Sequence, residues 1–191
     1  MTLKIIGVGM PRTGTASLCE ALRILGYNAI HHAPERIDLD TVNEKTFDGL
    51  YDDVDAVLDM PAALFADLIV DESTKVILTT RDEHDWWESI KHHTNKIRAS
   101  ANIAHIRYTD RLHQIIFGTA EPHEFLWRRR FRHWIQAWHP LLDGDERFGV
   151  LDVCREAPDR LWRQLCDFLD KPIPSEPFPW KNRKSGDEPK S

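Results

Sequence analysis

The sequence predicts an α/β fold with three layers, α/β/α, around a central parallel sheet, in one domain spanning residues 1–191. Three observations carry that expectation. Short apolar runs rich in β-branched residues recur along the chain. Stretches with helical spacing of apolar residues separate them, and glycine, proline or an acidic residue closes most runs.

Taken in order, "LKIIGVG" is a buried strand stopped by glycine, and "TASLCEALRILGYN" is an amphipathic helix. Its Leu18, Ala21, Leu22 and Leu25 follow the i, i+3, i+4, i+7 rule, with Gly26 as the C-terminal stop. "YNAIHHAPE" holds a brief second strand, "VDAVLDMP" a third, and "AALFADLIV" a helix. "TKVILTT" is the clearest strand, and "DEHDWWESIKHH" opens a helix with three acids in its first turn, where the helix dipole favours them. Residues 97–146 read as mostly helical, "RFGVLDV" as a last strand and "APDRLWRQLCDFLDKP" as a closing helix. The tail, 172–191, is proline-rich, polar and without periodicity.

The net charge of −6, from 25 basic and 31 acidic side chains, argues against nucleic acid or an anionic membrane as partner. Three cysteines at no metal-like spacing imply reduced thiols and a cytoplasmic protein. The start lacks the apolar core of a signal peptide, and no run reaches 18 apolar residues. "WRRRFRHWIQAW" could suggest nucleic-acid contact, yet Phe131, Trp134, Ile135 and Trp138 share one helical face, which favours core packing. No metal site is expected: the ten histidines show no ligand spacing, and pairs such as His31–His32 should point apart on a strand.

In a parallel sheet ligands sit at the carboxyl ends of strands. The loop at 9–15, Asp59 and Arg81 each follow a predicted strand, so all three can face one edge. "GVGMPRTGTAS" points backbone N–H groups and a helix N-terminus at one spot, which suits an anion. It matches neither nucleotide fingerprint, because Arg12 stands where a dinucleotide loop needs glycine. After Gly14, Thr15 and Ala16 replace the lysine and magnesium-binding hydroxyl of an ATP or GTP loop. The cation has moved to Arg12, with hydroxyls at Thr13, Thr15 and Ser17.

"PRTGTAS" resembles the 5′-phosphosulfate loop of sulfotransferases. A second likeness strengthens it: "VILTTRDEHDWWES" places Arg81 and Ser89 eight residues apart, as in the family's 3′-phosphate grip. "NRKSG", with Arg183 and Lys184, is similar to the loop that closes over the same phosphate. The resemblance implies a P-loop-NTPase-like fold. It also implies sulfuryl transfer from 3′-phosphoadenosine 5′-phosphosulfate (PAPS) to a hydroxyl or amine of a small-molecule or glycan acceptor, without a metal. Arg12, Thr13, Gly14, Thr15, Ser17, Arg81, Ser89, Arg183 and Lys184 would then bind the cofactor, with Arg12 also serving catalysis. Ala16 and Ser17 depart from the usual loop and bear on the adenine contact.

For the base, "VLDMP" puts Asp59 where the family's His-x-Pro segment has histidine. A carboxylate near pKa 3.9 needs burial to rise into a useful range. Asp59 could instead cap the helix after Pro61, and His32 or Glu35 could share or replace the base role. A magnesium-dependent kinase or NTPase, with "VDAVLD" as its acidic strand, and a non-catalytic nucleotide-binding module are the competing readings. Some of the aromatics Phe131, Trp134 and Trp138, or Trp86, Trp87 and Trp180, are candidates to line an acceptor pocket; acceptor identity and oligomeric state are not legible.

Overall fold

A computed structural model describes residues 3–142 and 144–181. Five parallel strands form one sheet: β1 (Ile5–Gly7), β2 (Ala29–His31), β3 (Ala56–Leu58), β4 (Lys75–Thr79) and β5 (Phe148–Leu151). Their order is β2-β3-β1-β4-β5. The chain therefore leaves β1 toward one side for β2 and β3, then crosses to the other for β4 and β5. That reversal opens a crevice at the carboxyl end of β1, where α/β sheets bind ligands.

Strand residues alternate between two apolar layers, as a pleat requires. Ile5, Leu58 and Ile77 pack under α1 (Thr15–Ile24) and α6 (Pro158–Leu169) with Leu18, Leu22, Leu161 and Leu165. Ile6, Val57, Val76 and Leu78 pack on the opposite face. There they meet α3 (Glu83–Arg98), α4 (Ile103–Phe117) and α5 (Glu124–Leu142), which contribute Trp86, Ile90, Leu112, Phe117, Trp127 and Phe131. The layers are thus α/β/α. Among the described residues no helix is long and apolar enough to cross a membrane.

The helix stops and starts follow local chemistry. Gly26, at φ 89°, ends α1, with the Tyr27 N–H reaching back to the Leu22 carbonyl in a six-to-one turn. Asp82 caps α3 by accepting the His84 and Asp85 N–H groups. The basic face of α5 is engaged: Arg128 and Arg132 each contact Glu83 at 2.6 Å. Two expectations change. The helix expected after Pro61 is only a short 3-10 turn, Ala62–Phe65, followed by the four-residue α2 (Ala66–Ile69). The described part of the tail is irregular but not free of the core: Phe178 is buried edge-on against Trp162, whose indole donates to the Glu176 carbonyl.

Candidate nucleotide and transfer site

The loop after β1 is set by close packing. A Cβ on Gly9 would lie 1.8 Å from Thr79 Oγ1, so only glycine lets the loop pass the tip of β4. Thr79 and Thr13 share a hydrogen bond at 2.6 Å, and Thr13 donates to the Met10 carbonyl. Both threonines are fully buried. The Thr13 hydroxyl is therefore a clasp inside the loop, not the ligand-facing group expected of it. Trp86 and Trp134 donate to the Pro11 and Val8 carbonyls and brace the turn from outside. Gly14, at φ 97°, then starts α1 with no side-chain cap. The first N–H groups of a helix have no intrahelical acceptor, so this end is electropositive.

Two arginines converge on the same spot. Arg12 Nε donates to Ser89 Oγ at 3.1 Å, and Arg81 donates to the Arg12 carbonyl at 3.1 Å. Arg81 Nε is buried with no hydrogen-bond partner among the described residues. Burial, then the neighbouring Arg81, lowers the Arg12 pKa, and Asp59 offsets only part of that. His93 lies in the same field: burial and Arg12 push it down to about 4, so it is neutral. Like charges gathered in a partly desolvated place are stabilised by an anion.

On the β2–β3 side the groups bind one another. Asp59, 6% exposed, accepts from the Thr15 hydroxyl at 2.8 Å, from the Met60 N–H at 2.7 Å and from His31 Nε2 at 3.1 Å. Burial raises its pKa, but His31, the Met60 N–H and the His32 charge outweigh it, and the carboxyl ends below its ordinary value. The rise that a base at this position needs is absent. The capping alternative is met only in part, since the carboxylate takes the next residue's N–H while the Asp59 carbonyl accepts from Ala63.

His32 Nδ1 lies 2.7 Å from the Met60 carbonyl. A carbonyl only accepts, so Nδ1 carries the proton and, in the neutral ring, Nε2 keeps the lone pair. His31 and His32 do not point apart as a regular strand would require. His32 has left the strand at φ 61°, and the two rings lie 6.5 Å apart. Arg12, His32 and Asp59, at φ 74°, 61° and 75°, are three of the four non-glycine residues with left-handed backbone among those described. Each costs on the order of 1–3 kcal/mol, and such strain concentrates at functional sites.

The structure thus brings Arg12, Gly14, Thr15, Arg81, Ser89, His32 and Asp59 to one edge. Ser17 is buried at the base of α1, where its hydroxyl accepts the Lys181 N–H. Arg183 and Lys184 lie outside the described residues. Glu35 is exposed on the turn Pro34–Arg36. Trp86 and Trp87 are core residues, 0% and 4% exposed. Sequence reasoning passed over His31 and His93. His93 follows Ser89 by four residues and so shares its helical face, a signal present in the sequence. Among the described residues no group of three or more His, Cys, Asp or Glu is placed to hold a metal ion.

Comparison with known proteins shows the family. The model of the sulfotransferase domain family matches residues 4–186. This chain belongs to that family. A relative in Aspergillus versicolor, "Ava biosynthesis cluster protein M", is 27% identical over 215 residues, covering 93% of this chain and 80% of its own length. Membership makes the protein a transferase of sulfotransfer type.

Proposed function

We propose that this sulfotransferase-domain protein moves a sulfuryl group from PAPS to a hydroxyl or amine of an acceptor, with His32 as base. The observation that carries the donor assignment is the contact of Arg12 with both Ser89 and Arg81. A nucleotide phosphorylated at both 3′ and 5′ positions needs two grips at one edge, and a buried, unpartnered Arg81 Nε suits an added phosphate oxygen. Bound there, PAPS supplies an electrophilic sulfur on a good leaving phosphate.

The remaining work falls to the chain. Arg12 and the open first turn of α1 would hold the 5′ end and offset charge on the departing phosphate. Arg81 and Ser89 would hold the 3′-phosphate. His32 Nε2 would take the acceptor proton as the acceptor oxygen bonds to sulfur. The S–O bond to the 5′-phosphate breaks, its electron pair leaving on adenosine 3′,5′-bisphosphate. Asp59 serves in the reading as the buried counter-charge that fixes Thr15 and His31, a role its saturated hydrogen bonding supports. The three free thiols support a reducing, cytoplasmic setting.

The test is transfer of radiolabelled sulfur from PAPS to a panel of phenols, alcohols, amines and sugars, with magnesium and with chelator. Label should move equally well in both. Consumption of ATP with a strict magnesium requirement would instead favour the kinase reading.

A further inference from the structure

One face of α3 follows the site. Trp86 donates to the Pro11 carbonyl, Ser89 accepts from Arg12 one turn later, and His93 stands a further turn along. Positions three and four residues apart share a face of a helix. Trp86 and Ser89 thereby fix where that face points: at the loop after β1 and its arginine. His93 is half-buried on it. The groups whose charge reaches its ring come from both halves of the site, Arg12 on one side and Asp59 and His32 on the other, with His105 added from α4. His93 therefore lies between the grip proposed for the 5′ end of the donor and the proposed base. A sulfuryl group has to cross that interval.

Neither ring nitrogen of His93 makes a hydrogen bond among the described residues. A polar ring half out of water and without a protein partner is suited to meet a ligand. Its ring is neutral and offers one N–H and one lone pair. An anion held at Arg12 selects between them, because negative oxygens accept hydrogen bonds and repel a lone pair.

We propose that His93 donates a hydrogen bond to a sulfuryl oxygen of PAPS and so orients that group between Arg12 and His32. The proposal rests on the sulfotransfer reading above. The contact is confined to the group transferred, since adenosine 3′,5′-bisphosphate has no sulfuryl oxygen for His93 to meet.

The experiment measures the affinities of PAPS and of adenosine 3′,5′-bisphosphate by equilibrium dialysis without an acceptor. It compares the parent protein with His93→Phe and His93→Gln. The first variant keeps a planar ring and removes the donor; the second keeps an N–H. His93→Leu takes the place of the first should that one not fold. In His93→Phe the affinity for PAPS should fall about tenfold or more, the scale of a hydrogen bond to a charged group, while bisphosphate affinity stays within about twofold. His93→Gln should recover most of the loss. Equal losses for both ligands would mark a structural role, and unchanged PAPS affinity in the folded first variant would mean no contact with the sulfuryl group. Either result, or no recovery in His93→Gln, overturns the assignment of His93 alone. A parent protein that does not bind PAPS overturns the sulfotransfer reading and this proposal with it.

Discussion

The two halves of the proposed site are built on opposite plans. On the β1–β4 side the backbone is locked by Gly9, the Thr13–Thr79 clasp and two indole braces, while the cations Arg12 and Arg81 crowd together and one guanidinium nitrogen is unpaired among the described residues. On the β2–β3 side the polar groups satisfy each other: Asp59 collects three donors, and among the described residues His32 is tied through Nδ1 alone. A rigid frame with unbalanced positive charge is suited to holding an anion. A closed hydrogen-bond network with one free lone pair is suited to taking a proton.

Substitutions can break either half, and the losses should differ in kind. The largest is expected for His32→Gln, which should lower kcat by about 10²–10⁴-fold while leaving bisphosphate affinity unchanged. If Asp59→Asn cost more than His32→Gln in the same assay, the base would have been assigned to the wrong residue. Arg12→Ala should follow, with a loss of roughly 10²–10³-fold in kcat, the scale of removing one donor to developing charge. Gly9→Ala sharpens the contrast from the structural side. With a Cβ driven onto Thr79, it should destabilise the fold by about 1–3 kcal/mol, read as a lower urea midpoint.

A smaller effect comes from pH. His113 is 4% exposed, and burial pushes its pKa down from 6.5 to about 4; His93 shifts the same way. Between these values the unfolded chain binds protons that the native protein refuses, so stability should fall as pH drops from about 6.5 to 4. The His113 share is at most on the order of 3 kcal/mol. Urea midpoints across that range should show the decline, and His113→Phe should flatten it.

The fold was largely legible because apolar period and turn residues act locally: β1, β4 and α1 with its Gly26 stop stand where the pattern put them. The segment after Pro61 misled because "AALFADLIV" is apolar except for Asp67, so its sequence shows no polar stripe that would tell a short 3-10 turn from a regular helix. In the site, residue positions were readable but their orientations were not. Thr13 turns inward and His31 meets Asp59 because of long-range packing and a left-handed residue at His32. None of these has a signature in spacing. Trp86 and Trp134 brace the loop from 75 and 126 residues away, a distance over which sequence carries no direct signal.

The most direct measurement is calorimetric titration of the parent protein and of Arg81→Ala with adenosine 3′,5′-bisphosphate and with AMP. If Arg12 and the Arg81–Ser89 pair hold the two ends of one nucleotide, the bisphosphate binds the parent protein much more tightly than AMP. The variant then loses about ten- to hundredfold for the bisphosphate, the worth of a charged hydrogen bond, and little for AMP. Equal losses for both ligands, or equal affinities in the parent protein, would contradict a 3′-phosphate at Arg81.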